Sequence, residues 1–218
     1  MYKSLLGAVL LASSCVSVAG EYSVSLGYTK FSIQPNGFWY QEGYPYKLDI
    51  KTPSINLRYL TEDSSNSWQY GLQYTYIGKA KTWAMAVPSD SNYDYTNHSC
   101  YSPCLDLAEF KTRSTMQGIA LLAIKNFNKY YIVSGVMLGY STNVVDIKGW
   151  SDTVGGEKKD LHLVNDTEVN YLPLLGIGYK LKEEVFVEVS LLPTTPKGGE
   201  YPAIFRNHSI NISVGYKF

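Results

Sequence analysis

Trp68-Gln69-Tyr70-Gly71-Leu72-Gln73-Tyr74-Thr75-Tyr76 alternates without a break: even positions are apolar or aromatic, odd positions small or polar. Successive side chains of an extended chain point to opposite faces, so this stretch reads as a strand with two unlike faces. The same period recurs in Tyr22, Val24, Leu26 and Tyr28 near one end, and in Ile210, Ile212, Val214, Tyr216 and Phe218 at the other. Between them Val169, Tyr171, Pro173, Leu175, Ile177, Tyr179 and Leu181 form a further face, and Val185, Val187, Val189 and Leu191 the next. Beyond residue 20 no charge-free apolar run has the length of a membrane helix.

Short polar turns at 62–67, 125–129 and 182–184 recur roughly every 60 residues, a hairpin spacing. Long segments near 32–46, 80–107, 143–167 and 194–206 hold most turn-forming residues, including Gln34-Pro35-Asn36-Gly37 and Pro196-Lys197-Gly198-Gly199. Three short turns and four long loops join eight strands and leave both termini on the short-turn side. The predicted fold is therefore all-β: an eight-stranded antiparallel up-and-down transmembrane β-barrel over residues 21–218. Leu48 and Ile50 have the opposite parity to Ile55 and Leu57, so a bulge is expected near Thr52-Pro53.

Composition narrows the setting. Of 218 residues, 45% are apolar and 17% charged, with 19 basic against 19 acidic side chains. That balance excludes ordinary disorder and a nucleic-acid binder. A soluble surface usually carries about 25–35% charged residues, so much of the exterior is expected to meet something other than water. A soluble lipocalin-type barrel would turn its apolar face inward. Two features favour the reverse. The polar faces are Ser, Gly, Gln, Thr and Asn, suited to a narrow lumen. Aromatics also gather at both strand ends: Trp68, Tyr70, Tyr130, Tyr179, Tyr216 and Phe218 near the short turns, Tyr28, Tyr76, Trp83 and Tyr140 near the long loops. Two such girdles mark two bilayer interfaces.

Residues 1–20 read as a secretory signal peptide: Lys3, the apolar run 5–12, then Ser17-Val18-Ala19-Gly20. A lipoprotein signal ending at Cys15 is the alternative. Export leaves Cys100 and Cys104, whose pairing as a disulfide suits an oxidising compartment. The rival, a metal site with His98, lacks a clear fourth ligand. No metal or other cofactor is expected.

The ending Asn211-Ile212-Ser213-Val214-Gly215-Tyr216-Lys217-Phe218 resembles the C-terminal signal of bacterial outer-membrane barrels. Asn211, Tyr216 and Phe218 match that pattern, while Ser213 stands where glycine is usual. With the leader and the hairpin spacing, the mature chain resembles the small OmpA/OmpX-type outer-membrane barrels. The resemblance implies location in the bacterial outer membrane. It also implies contact with outer-membrane lipids, lipopolysaccharide included, recognition of Phe218 by the barrel-assembly machinery, and a monomer.

An eight-stranded lumen is just filled by side chains. Arg58, Lys111, Arg113, Glu109, Lys180 and Glu188 are expected inside, and buried charges must be paired, so Glu188 is predicted to meet Arg58, Arg113 or Lys180. Three functional readings follow. The first is a structural or surface-interaction (adhesion or recognition) role through Tyr- and Asn-rich outer loops, for instance around Tyr93, Asp94 and Tyr95. The second is a hydrophobic-molecule conduit lined by Val133, Met137, Leu172, Leu174, Phe186 and Leu192. The third is a lipopolysaccharide acyl hydrolase using His208, disfavoured because Ser209 takes the other face. Arg206 and His208 are placed instead near lipid phosphate, and no catalytic residue is assigned.

Overall fold

The computed structural model describes residues 20–31, 46–49, 51–62, 67–86, 93–94, 99–100, 107–150, 159–193 and 208–218. All regular elements among them are strands: β1 (Gly20–Phe31), β2 (Tyr46–Asp49), β3 (Lys51–Thr61), β4 (Trp68–Ala86), β5 (Tyr93–Asp94), β6 (Ser99–Cys100), β7 (Leu107–Phe127), β8 (Tyr130–Trp150), β9 (Lys159–Lys180), β10 (Val185–Leu192) and β11 (Ser209–Lys217). Nine belong to one sheet in the order β2-β4-β3-β1-β11-β10-β9-β8-β7, and β4 also pairs with β7. That pairing closes the sheet. Because β2 and β3 both pair with β4 as successive parts of one wall strand, the closed barrel has eight staves. β5 and β6 form a separate two-stranded hairpin.

All neighbours are antiparallel, and the termini meet. Ser23 lies opposite Lys217 in the β1–β11 ladder, and the Phe218 amide donates to the Tyr22 carbonyl at 2.8 Å. At the tight β7–β8 turn Asn128 has φ 57°, a left-handed conformation that asparagine tolerates.

The faces divide by residue parity. Leu26, Leu121, Tyr171 and Ile177 are more than 60% exposed, whereas Ser25, Ala120, Leu172 and Ser190 are buried. A closed wall leaves no unpaired edge, which is how β-structure crosses hydrocarbon. On β3 the outward residues between Lys51 and Thr61 are Pro53, Ile55, Leu57 and Tyr59. That charge-free length fits an apolar band about 25 Å tall for a tilted strand. At the short-turn end the outward aromatics touch one another: Tyr22 with Tyr59 at 5.0 Å, Trp68 with Tyr70 at 6.3 Å, Tyr130 with Tyr179 at 4.9 Å, Tyr216 with Phe218 at 5.2 Å.

The staves are unequal. β1, β10 and β11 have 12, 8 and 9 residues, near the 9–11 that span a bilayer, while β4, β7, β8 and β9 have 19 to 22, and the stave made by β2 and β3 together reaches from Tyr46 to Thr61. The long staves start from the same short-turn end, so their surplus stands beyond the outer rim of the short wall. This corrects the expected loops at 80–107 and 143–167, where pairing continues to Ala86 and Trp150 and resumes at Leu107 and Lys159. Outside the bilayer a strand needs no apolar face, so those segments read as loop while remaining paired.

The irregularity expected near Thr52-Pro53 is present against one neighbour and not the other. Alternation runs unbroken through Thr52 and Pro53, in constant register with β1, so the face is not reset there. Against β4 the pairing slips between Asp49 and Ser54, where five steps face four from Ile77 to Lys81. It slips again within β4 between Ile77 and Ala80.

Candidate functional site

Small side chains on β1 and β11 make room on the barrel axis. Ser23 lies opposite Arg58, Ser25 opposite Gly215, and Ser213 opposite Glu188. Arg58 from β3 reaches past them to Glu188 on β10. Its Nη1 and Nη2 donate to Oε2 and Oε1, each at 2.9 Å. Both side chains are almost wholly buried, at 6% and 2% exposure. Such a fork-to-carboxylate pair fixes both groups geometrically as well as electrostatically.

The remaining donors and acceptors are engaged as well. Arg58 Nε donates to Gln73 Oε1 at 2.8 Å, and Tyr131 Oη donates to Glu188 Oε2 at 3.1 Å. Gln73 Nε2 donates to Thr75 Oγ1, Thr75 Oγ1 to Asn56 Oδ1, and Asn56 Nδ2 to Ser25 Oγ, at 2.9, 2.9 and 3.0 Å. The brace thus ties β1, β3, β4, β8 and β10 across the lumen. Tyr131 reaches it because Gly178, opposite Glu188 in the β9–β10 ladder, has no side chain: a Cβ there would run into the Tyr131 ring.

Below the brace, at the short-turn mouth, lies a small vestibule open to solvent, lined among others by Arg58, Leu60, Tyr131, Lys180, Glu183 and Phe186. Polar side chains cross it. Lys217 Nζ donates to Glu21 Oε1 at 2.7 Å, Gln69 Nε2 to Glu21 Oε2 at 3.0 Å, and Asn126 Nδ2 to Gln69 Oε1 at 2.9 Å. Above the brace Asn211 Nδ2 donates to Thr29 Oγ1 at 2.8 Å and to Ser54 Oγ, and Ser114 Oγ donates to Asn143 Oδ1 at 2.6 Å. The opposite wall is apolar: Met116, Ala120, Leu122, Ile124, Val133, Met137, Leu172 and Leu174 pack as one buried cluster, with Phe186 against it.

Of the charges expected inside, the structure brings Arg58 and Glu188 together and sets Lys180 in the vestibule. Arg113, Lys111 and Glu109 are corrected to the outward face. β7 pairs with β8 without a register slip from Leu107 to Phe127, so the outward parity of Ile119 and Leu121 carries through to Arg113. The bulge that resets parity belongs to the neighbouring β4. Trp83 Nε1 donates to Glu109 Oε1 at 2.6 Å, and Lys111 Nζ lies 2.9 Å from the same oxygen. His208 is exposed and Ser209 buried on the other face; Arg206, His98 and Cys104 lie outside the described residues, as do residues 1–19 of the signal peptide expected over 1–20, and of Cys100 the backbone pairing with Tyr93 is described.

Sequence reasoning missed Tyr131, Gln73 and Asn56. Their inward parity was available, but which atom each would reach depends on the barrel's stagger, and no local pattern carries that.

No family model matches the chain, and no curated protein does. Among solved structures the chain is similar to Ail, the attachment invasion locus protein of Yersinia pestis, in complex with the heparin analogue sucrose octasulfate: 13% identity over 92% of this chain and 99% of that one, TM-score 0.49. It is similar also to the outer membrane protein OprG from Pseudomonas aeruginosa (12%, 92% and 96%, TM-score 0.46) and to Neisserial surface protein A (12%, 91% and 95%, TM-score 0.38). At these identities the likeness concerns fold alone. The closed wall of eight staves, its apolar exterior and its filled interior make this chain an eight-stranded β-barrel of the membrane-spanning kind.

Proposed function

We propose that the barrel is a sealed anchor in the bacterial outer membrane and that its role is surface interaction, carried by what stands above its outer rim. One observation supports this most directly: the lumen is packed and braced while four staves continue well past the short wall. A filled interior leaves little for a transport function to act on, and binding functions on rigid scaffolds sit in projecting segments. In this reading residues 1–20 are removed on export, Cys100 and Cys104 bridge within the loop that follows β4, and the chain ends on a signal for the assembly machinery. The barrel is a monomer in contact with lipopolysaccharide.

The conduit reading has less support. Val133, Met137, Leu172, Leu174 and Leu192 face inward but pack on each other as core, at 4% exposure or less. For the hydrolase reading, His208 and Ser209 take opposite faces.

The test replaces residues 87–106 by a short turn and compares adherence of expressing cells to host-cell monolayers with that of the intact protein. Adherence should fall to the level of non-expressing cells while heat-modifiable gel migration still reports a folded barrel. Undiminished adherence would refute the loop assignment. Vesicle uptake of a hydrophobic dye faster than in protein-free vesicles would refute the sealed barrel.

A further inference from the structure

The mouth of the barrel on the short-turn side holds an arrangement that the brace does not use. Tyr131 of β8 and Phe186 of β10 meet edge to face, with ring centroids 6.2 Å apart. Each ring lies over a glycine of a neighbouring strand: a Cβ at Gly178 would run into Tyr131, and one at Gly215 into Phe186. Leu60 from β3 and Ile124 from β7, both buried, complete an apolar lining for the inner end of the vestibule. The Tyr131 hydroxyl is engaged by Glu188, so what that residue offers the vestibule is its ring. The Arg58–Glu188 pair crosses the lumen just beyond. The vestibule is therefore a blind pocket, wetted from its mouth alone.

The charges around this lining are not equivalent. Glu21 has both oxygens occupied, Oε1 by Lys217 and Oε2 by Gln69. Lys180 stands directly opposite Phe186 in the β9–β10 ladder. Its ammonium acts on Glu21 only through space and makes no hydrogen bond or ion pair among the described residues. Glu183 also lines the vestibule, but it sits in the exposed turn, where water solvates it. Lys180 is half-buried, and the Phe186 ring beside it is only partly covered. An ammonium drawn partly out of water gains more from an anion than an exposed one does. A wetted aromatic ring gains from an apolar cover. One ligand satisfies both when it carries a single negative group on an apolar body. A second negative charge would meet the carboxylates of Glu183 and Glu21.

We propose that the vestibule binds small monocarboxylates with an aromatic or branched apolar body, the carboxylate on Lys180 and the body against Phe186, Tyr131 and Leu60. An ammonium gives a carboxylate a charge-assisted hydrogen bond, and the rings supply the apolar contact that a small-molecule site needs. The site opens at the end of the barrel away from the outer loops, so it is independent of what those loops recognise. It requires no path through the barrel, because the brace ends it.

The isotope-labelled full chain is reconstituted in phosphatidylcholine nanodiscs, and its backbone amide signals are followed by NMR. It is titrated with phenylpropionate, with the neutral amide of that acid, and with doubly ionised benzylmalonate. Phenylpropionate should give saturable shifts at Gly178 and Gly215, the glycines behind the rings, and the amide none that saturate. Lys180→Gln should weaken binding about fivefold or more, whereas Lys182→Gln, exposed in the adjoining turn, should leave it unchanged. Benzylmalonate should bind more weakly than phenylpropionate, and Glu183→Gln should close that gap, a selectivity that a merely structural role would not produce. Heat-modifiable gel migration reports that each variant still folds. Equal binding of the amide, an unchanged affinity in Lys180→Gln, or saturable shifts confined to outward residues such as Leu26 and Val214 would each overturn the proposal. So would a preference against benzylmalonate that Glu183→Gln leaves intact. A peptide ending in a free phenylalanine carboxylate that binds about tenfold tighter than phenylpropionate, while its amidated form does not bind, would assign the site to a polypeptide end and overturn the free acid.

Discussion

Glu188, Ser190, Asn211, Ser213, Ser25, Asn56, Arg58, Gln73 and Thr75 approach the lumen from β10, β11, β1, β3 and β4, while β7, β8 and β9 face them with Met116, Ala120, Leu122, Val133, Met137, Leu172 and Leu174. Both walls fill the same narrow space, yet they are held by different rules. An apolar wall asks for volume and shape, since interiors are close-packed and hydrophobic swaps of similar size are tolerated. A polar wall asks for particular partner atoms, because a buried polar group without one is costly. The polar side therefore depends on its residues in pairs and chains, and the apolar side on them one at a time.

The largest expected effect tests that dependence at its strongest link. Glu188→Ala leaves the Arg58 guanidinium buried without its carboxylate and should destabilise the barrel by about 3–5 kcal/mol, read as a fall in the urea midpoint of unfolding in phosphatidylcholine vesicles. The double variant R58M/E188M removes both charges and fills the axis with flexible apolar chains. It should recover most of the loss, since replacing a whole buried ion pair by apolar residues is often neutral. A double variant as unstable as the single one would mean that the brace is not what Glu188 contributes.

On the apolar wall the corresponding change is smaller and follows size instead of partnership. Met137 is fully buried. Met137→Ala should cost about 2–5 kcal/mol through lost contacts and a cavity, and Met137→Leu, which keeps volume, less than about 1.5 kcal/mol. If Leu were as damaging as Ala, the wall would be reading shape more finely than packing rules allow, and the contrast with the polar side would weaken.

The contrast also explains what the sequence could disclose. Period-two alternation at 68–76 and 210–218 sufficed for the staves, because a two-faced wall imposes that period residue by residue. Glu188 was legible as half of an ion pair, with Arg58 one of three candidate partners beside Arg113 and Lys180, since a charge on an inward parity must be neutralised. Arg113 was not: its face depends on which strand holds the bulge, and Gly78-Lys79 in β4 carries no signal that distinguishes it from Thr52-Pro53 in β3. The overshooting ends of β7, β8 and β9 were illegible for a different reason. Between 143 and 150 the chain leaves hydrocarbon, so pairing persists after the apolar alternation that would reveal it has lapsed. Tyr131 shares the inward parity of Val133, but the partner of its hydroxyl lies on β10, two staves away around the wall, and no local pattern points to it.

The smallest effect separates charge from depth. Lys217 and Glu21 form an ion pair of 2.7 Å at the mouth of the polar wall, with side chains 34% and 31% exposed. If charge pairing alone set the strength of this wall, Lys217→Gln would rival Glu188→Ala. Partial exposure predicts otherwise: water and counterions already compete for both groups, and such pairs contribute about 0–1 kcal/mol. The difference between the two sites should widen with ionic strength, because added salt weakens solvent-accessible ion pairs while buried ones are screened much less. Unfolding midpoints of Lys217→Gln and the intact protein should therefore converge in high salt, while the deficit of Glu188→Ala persists. A Lys217→Gln deficit that held its size in high salt would place the mouth under the same rule as the brace, and depth would no longer be what distinguishes them.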